Sequence, residues 1–297
     1  MMHHHSKMLP DGQRLHLQHG PIDLILGAEG ERADVARAYR QAEAAFGGLL
    51  ERLVAELPAL RTAYQPACVF TDPLAQKMAA AVAPFASIFV TPMAAVAGCI
   101  ADEICTKMVQ NCDLKKAYVN NGGDISLYLN QGQSYCLGIV SDSDNPAIDM
   151  TARIGNTDPI RGIASSGWKG RSHSFGVADV VTVLASNSAS ADVAATLIAN
   201  NVDPGHCPEV VRQPAQSLDP DTDLGQRLVT INVEKLSETQ ISKALKQGEK
   251  TAKQYVDQGL IHACAISLQG HTCIVGHIPG AGQIGQRSVN HLEGARV

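Results

Sequence analysis

Apolar and polar residues alternate across residues 13–27, with Leu15 and Leu17 on one side of His19-Gly20-Pro21 and Ile22, Leu24 and Leu26 on the other. A period of two around a turn predicts a two-strand hairpin. The period then lengthens. Over residues 31–56 the apolar positions Val35, Ala38, Tyr39, Ala42, Phe46, Leu49 and Leu53 recur at three and four, which predicts one amphipathic helix that Pro58 stops. Asp72-Pro73 has the form of a second helix start, and residues 87–90 are a short β-type run broken by Thr91-Pro92. Small and apolar residues occupy nearly all sides of a helix over residues 93–110, so its first turns should be deeply buried. Gly98 costs that helix about 1 kcal/mol relative to alanine, which implies close packing against its backbone.

Strands follow over residues 116–120, 125–129 and 134–140 in the order of a meander, then over 148–154, 160–165 and 177–185. Residues 188–199 read as a helix of small residues. Residues 201–226, rich in Pro, Asp, Gly and Gln, read as a covering loop. A β run over 228–233, a helix capped by Ser237 and running to Tyr255, a stop at Gly259 and strands over 261–268 and 271–277 complete the pattern. Residues 1–12 and 279–297 are expected to be a disordered and a mobile tail. No internal repeat or linker divides the 297 residues.

Composition narrows the function classes. The formal net charge is −5 and the 24 Lys and Arg residues form no cluster, which argues against a nucleic-acid binder. No apolar run reaches the roughly 18 residues of a membrane span. The eight cysteines lack a Cys-x-x-Cys pair and read as free thiols, and the polar N-terminus does not resemble a secretory leader, so a cytoplasmic protein is expected. The richness in alanine is compatible with a homodimer.

Four stretches offer chemistry. In Val119-Asn120-Asn121-Gly122-Gly123-Asp124-Ile125 two glycines separate two β runs, as a tight turn needs and as a close approach of backbone to ligand also needs. Asp192 and Thr196, one helical turn apart, present a carboxylate and a hydroxyl on one face. These are hard ligands for a magnesium ion that is completed by water and substrate phosphates. The plainer reading makes Asp192 a cap and lets Thr196 bond back to a carbonyl. His173, between Ser172 and Ser174, is either an acid–base group or a solvated loop residue. Ser165-Ser166-Gly167 either presents hydroxyl and N–H groups to phosphate or simply turns the chain. The acidic stretch 141–146 lacks the glycine and terminal glutamate of a calcium loop. Zinc spacing, a P-loop, G-x-S-x-G and a G-x-G-x-x-G after a strand are all missing.

Taken in order, Ala94-Ala95-Val96-Ala97-Gly98 to Asp102, Val119 to Ile125, Leu137-Gly138-Ile139, Ala164 to Gly167, Ser172-His173 and Ala191-Asp192 to Thr196 form a series that resembles the ApbE family of flavin transferases. The remainder, notably Asp219 to Gly225, looks like a cytoplasmic branch rather than the lipoprotein branch. The resemblance implies an α+β fold, with mixed or antiparallel sheets packed against helices, as a single domain over residues 13–278. It also implies binding of FAD and Mg, and transfer of FMN to a threonine or serine of a protein acceptor. Asp192 and Thr196 match the family's metal ligands, and the carbonyl of Ala94 matches a third. Asn121, Gly122, Gly123 and Asp124 fall at the family's nucleotide-binding glycine pair, and Ser165, Ser166 and Gly167 match residues lining the site. His173 and Asp192 are the catalytic candidates.

Two departures stand out. Ala97 occupies the place of a family lysine, and Ser174-Phe175-Gly176-Val177-Ala178 replaces a segment carrying Asp, Pro, Arg, Thr and Gly. Lys169 or Arg171 is a candidate replacement for the missing cation. The alternatives are a non-catalytic cofactor-binding or regulatory module and an enzyme acting on a different small molecule.

Overall fold

The N-terminal alternation does make a hairpin. A computed structural model describes residues 4–140 and 148–283. Strand β1 (His5–Met8) pairs with β2 (Leu15–His19), which pairs with β3 (Ile22–Gly30), placing Leu17 opposite Leu24. Residues 5–8, expected in a disordered tail, are thus an edge strand. The backbone of β2 recruits them while their side chains stay largely exposed, so no hydrophobic pattern marks them.

The expected helix over residues 31–56 is two helices, α1 (Arg32–Phe46) and α2 (Leu49–Ala55), because Gly48 takes a left-handed φ of +72° between them. A short α3 (Leu57–Leu60) follows, then α4 (Pro73–Val82), whose N-cap Asp72 accepts from the N–H groups of Leu74 and Ala75. Residues 87–90 are not a strand. Bonds from Ala86 N–H to Ala83 O and from Ile88 N–H to Phe85 O wind the preceding chain into turns instead.

Helix α5 (Val96–Val109) leads into β4 (Leu114–Asn121) and β5 (Asp124–Leu129). The expected meander stops there. β6 (Ser134–Val140) leaves the sheet to pair with β7 (Ile148–Gly155), and β8 (Gly162–Ser166) takes the free edge of β5. The remaining elements are β9 (Val180–Ala185), α6 (Ser188–Asn201), β10 (Val210–Pro214), α7 (Ala215–Leu218), β11 (Leu228–Val233), α8 (Glu238–Asp257), β12 (Ala263–Leu268), β13 (His271–Gly276) and β14 (Gly282–Gln283). The stretch 201–226 therefore holds a strand and a helical turn. Part of the expected mobile tail pairs with β7, while residues 284–297, like the acidic loop 141–146, lie outside the described residues.

Among the described residues, nine strands form one antiparallel sheet in the order β1-β2-β3-β4-β5-β8-β9-β12-β13. Period-two side chains sort to its faces. Leu17, Leu24, Val119, Val183 and Ile266 join Phe46, Ile104, Met108 and Ile198 of the helices in the main core. On the other face Leu127, Ile163 and Leu184 meet Ala152 and Ile154 of β7. The protein is thus α+β, with a helical layer on one side and the β14-β7-β6 sheet on the other. No helix among the described residues is long and apolar enough to cross a membrane, and all eight cysteines are free thiols.

Helices α5 and α6 touch through their backbones. A Cβ on Gly98 would lie 2.4 Å from the carbonyl oxygen of Ser188 and 2.8 Å from Cα of Ala189. Gly98→Ala gains about 1 kcal/mol in helix propensity but forces these backbones apart, and overpacking typically costs about 1–3 kcal/mol. The substitution is expected to lower the urea midpoint. A raised midpoint would show that the contact is not tight.

Candidate functional site

Two carboxylates tie α5 to α6. Asp102 of α5 accepts from the N–H groups of Ser188 and Ala189 at 3.1 and 2.9 Å, and Asp192 of α6 accepts at 2.9 Å from the N–H of Gly98. These N–H groups belong to helix starts, where the helix itself supplies no acceptor. Asn187, the N-cap of α6, accepts from Ser190 N–H, so Asp192 is not the cap that the plainer sequence reading makes it. Its carboxylate reaches across to the neighbouring helix.

Beside it lies the glycine turn. Asn121 is paired with Asp124, leaving a two-residue hairpin loop in which Gly122 and Gly123 have φ of +64° and +112°. Both positive angles suit a primed turn. Asn120 Oδ1 accepts from Gly123 N–H at 2.8 Å, and Asn121 Nδ2 donates to the carbonyl of Ala97 at 3.1 Å. The turn is thereby fastened to the start of α5. Asp124 opens β5, and its Oδ1 is buried without a hydrogen-bond partner. Desolvation pushes the Asp124 carboxyl well above the usual carboxylate range, and the charge of Asp192 adds to the shift. Desolvation also raises Asp192, with Asp102 contributing, against the lowering by the Gly98 and Ala97 amides.

The two carboxylates belong to the boundary, or neck, that two adjoining chambers share in their lining. One, of about 810 Å³, is lined by apolar residues such as Leu50, Leu53, Leu57, Met93 and Ile100, and by Asn121, Gly122, Ser165 and Ser166 at the end of β8, and Gly167. The other, of about 340 Å³, is lined by Ala94, His173, Asn200 and the segment from Asp219 to Leu224. Asp124, Asp192, Thr196, Arg61 and Arg171 line both. The part of the expected covering loop that reaches the site is therefore 219–224, held by the hydroxyl of Thr91, which donates to Asp223.

The sequence candidates thus converge, with differences in place. Thr196 joins Asp192 at the neck. Ala94 lies in the helical turn that ends at Ala95, the N-cap of α5, and lines the smaller chamber. Ser165 shares a hydrogen bond with Thr182 at 3.0 Å, and Gly123 shapes the turn without lining either chamber. His173 faces the smaller chamber alone. Arg61, the residue after α3, carried no sequence signal, because its approach to the neck is a long-range contact.

The neck holds oxygen donors of the hard kind that a divalent cation takes. An unpartnered carboxylate oxygen, a second carboxylate that opposes its ionisation and a hydroxyl one turn away are hard oxygen donors lacking a counter-charge. The folded protein favours the protonated acids. Each raised carboxyl therefore contributes stability below the ordinary carboxylate range, and that contribution is lost as pH rises through the raised values. In chelator, Asp124→Asn is expected to match wild type at acid pH and to exceed it increasingly toward neutral and alkaline pH. The gain should grow as pH rises through the raised range and level off above it. Thermal melts against pH check this, and an advantage that shrinks with pH refutes the assignment.

Comparison with known proteins places these features in a family. A UPF0280 protein of Methanopyrus kandleri is 36% identical over 170 residues, covering 56% of this chain and 65% of that protein. A UPF0280 protein of Methanothrix thermoacetophila is 41% identical over 116 residues, covering 39% and 47%. The matches thus span about half to just under two thirds of these curated relatives. The crystal structure of apo flavinyl transferase ApbE from Pseudomonas stutzeri covers 92% of this chain and 93% of its own, at 11% identity and a TM-score of 0.44. The family model "AbpE bacteria" matches residues 6–274, and the chain belongs to that ApbE-like family.

Proposed function

We propose that the two-chambered cavity binds FAD with magnesium, and that the protein cleaves the FAD diphosphate, passing FMN to a hydroxyl of a protein acceptor or to water. The observation that carries this reading is the Asp124–Asp192 pair, with the Oδ1 of Asp124 unpartnered, set between a large apolar chamber and a smaller one of mixed lining. Magnesium would be held by Asp192, Thr196 and Asp124, with the carbonyl of Ala94 as the further donor that the family resemblance implies. There it would neutralise charge on the phosphate oxygens. The larger chamber has the apolar lining that a flavin ring needs. Gly122, without a Cβ, keeps the hairpin backbone clear for the nucleotide. Ser165, Ser166 and Gly167 offer hydroxyl and N–H donors along the same wall. His173, in the smaller chamber, would take the proton of an entering hydroxyl.

One observation favours a second reading, a binding module without transfer chemistry. Among the described residues nothing hydrogen-bonds to the His173 ring, so no partner fixes its tautomer or orientation. In addition, Ala97 and the segment Ser174-Phe175-Gly176-Val177-Ala178 stand where the resemblance places a lysine and an Asp-Pro-Arg run. The two readings separate in one assay of the purified protein with FAD and magnesium. Flavin transfer is expected to release AMP and leave FMN on an acceptor. Asp192→Ala should weaken magnesium-dependent FAD binding by at least about tenfold, the loss of one charge-assisted interaction. His173→Ala should slow AMP release with FAD affinity unchanged. Binding without AMP release establishes the module reading, and the absence of both binding and cleavage overturns the flavin reading altogether.

A further inference from the structure

Two guanidinium groups at the neck are unaccounted for. The Arg61 side chain is partly buried and, among the described residues, makes no hydrogen bond or ion pair. The exposed Arg171 donates from Nη2 to the carbonyl of Pro21 at 3.3 Å and, among the described residues, pairs with no carboxylate. Its Nη1 lies 3.4 Å from where a Cβ of Gly122 would be, so the guanidinium rests against the glycine turn. Each guanidinium carries five donors in a planar fork, most of them unused here. Both residues line both chambers together with Asp124 and Asp192, yet neither is paired with either acid. Opposite charges that share a neck and leave each other unpaired are arranged for a third component.

We propose that Arg61 and Arg171 form an anion seat for a diphosphate lying inside the ligand rather than at its end. The proposal rests on the reading that this cavity holds a phosphorylated ligand. The fork geometry matches phosphate oxygens two at a time, which a carboxylate-lined neck without arginines would repel. The position selects the kind of phosphate. A terminal phosphate needs space on one side only, whereas this neck opens into about 810 Å³ on one side and about 340 Å³ on the other. A ligand that continues in both directions, an unsymmetrical diphosphate diester with its larger apolar group in the larger chamber, uses both. Arg171 thus lies beside the glycine turn, its Nη1 at van der Waals distance from where a Cβ of Gly122 would stand.

The test is titration of the purified full chain with magnesium pyrophosphate, FAD, FMN and AMP, followed by thermal shift and calorimetry. Wild type is expected to bind pyrophosphate and to prefer FAD to FMN or AMP. Arg61→Gln and Arg171→Gln should each weaken pyrophosphate and FAD binding about tenfold, and the double variant more than either. Circular dichroism checks that each variant folds. Should the glutamine variants fail to fold, Arg61→Lys and Arg171→Lys keep the charge and remove the fork, and a several-fold loss is still expected. Pyrophosphate binding that depends on the arginines without any FAD binding supports the seat and overturns the flavin reading. FAD binding that is equal in wild type and the variants overturns the seat and leaves the flavin reading intact. Wild type that ignores pyrophosphate also overturns it.

Discussion

The structure depends on the contact between α5 and α6, where the two helices meet backbone to backbone. Gly98 and Asp102 are four residues apart on one helix, and Ser188 and Asp192 are four apart on the other. Each carboxylate accepts from the start of the opposite helix, Asp102 from Ser188 and Ala189, Asp192 from Gly98. The clasp is reciprocal. It satisfies N–H groups that neither helix can satisfy internally, and it works only at the short distance that a glycine permits. A carboxylate at a helix start is also favoured by the helix dipole, so hydrogen bonding and electrostatics act in the same direction.

That clasp sets a fixed point for the site. Asp192 must stay where Gly98 holds it, and Thr196 follows one turn later. Asn121, bonded to the carbonyl of Ala97, brings the glycine hairpin and Asp124 to the same helix start. The price is electrostatic. Asp102, Asp124 and Asp192 crowd one region, and burial raises all three carboxyls. A fold that concentrates negative charge in this way has a built-in demand for cation, and the arginines at the neck meet only part of it, because they do not contact these acids.

What the sequence shows follows from how local each feature is. Helical spacing alone puts Asp192 and Thr196 on one face, and Gly98 in a run of small residues signals close packing before any partner is known. The Asp102 side of the clasp left no local trace, because its partners lie about 86 positions away in the chain. Arg61 is silent for the same reason. β1 is recruited by backbone alone, and β6 departs from the sheet because β8 supplies the pairing that β5 needs, a choice made by residues more than thirty positions downstream. The split of the long helix was nearer the surface of the sequence, since Gly47-Gly48 interrupts an otherwise unbroken period.

The glycine pair shows why its two sequence readings are not rivals. A two-residue hairpin with both φ angles positive accounts fully for Gly122 and Gly123 as turn residues. Yet the same backbone carries Gly122 into the wall of the larger chamber, with Nη1 of Arg171 3.4 Å from where a Cβ would stand. Asparagine or aspartate is tolerated in such turns on conformational grounds. At Gly122 either would meet Arg171, and an aspartate there would pair with the guanidinium and remove it from any ligand. The φ of +64° restricts which residues the turn accepts, and the guanidinium beside it makes the charge of any substitute matter.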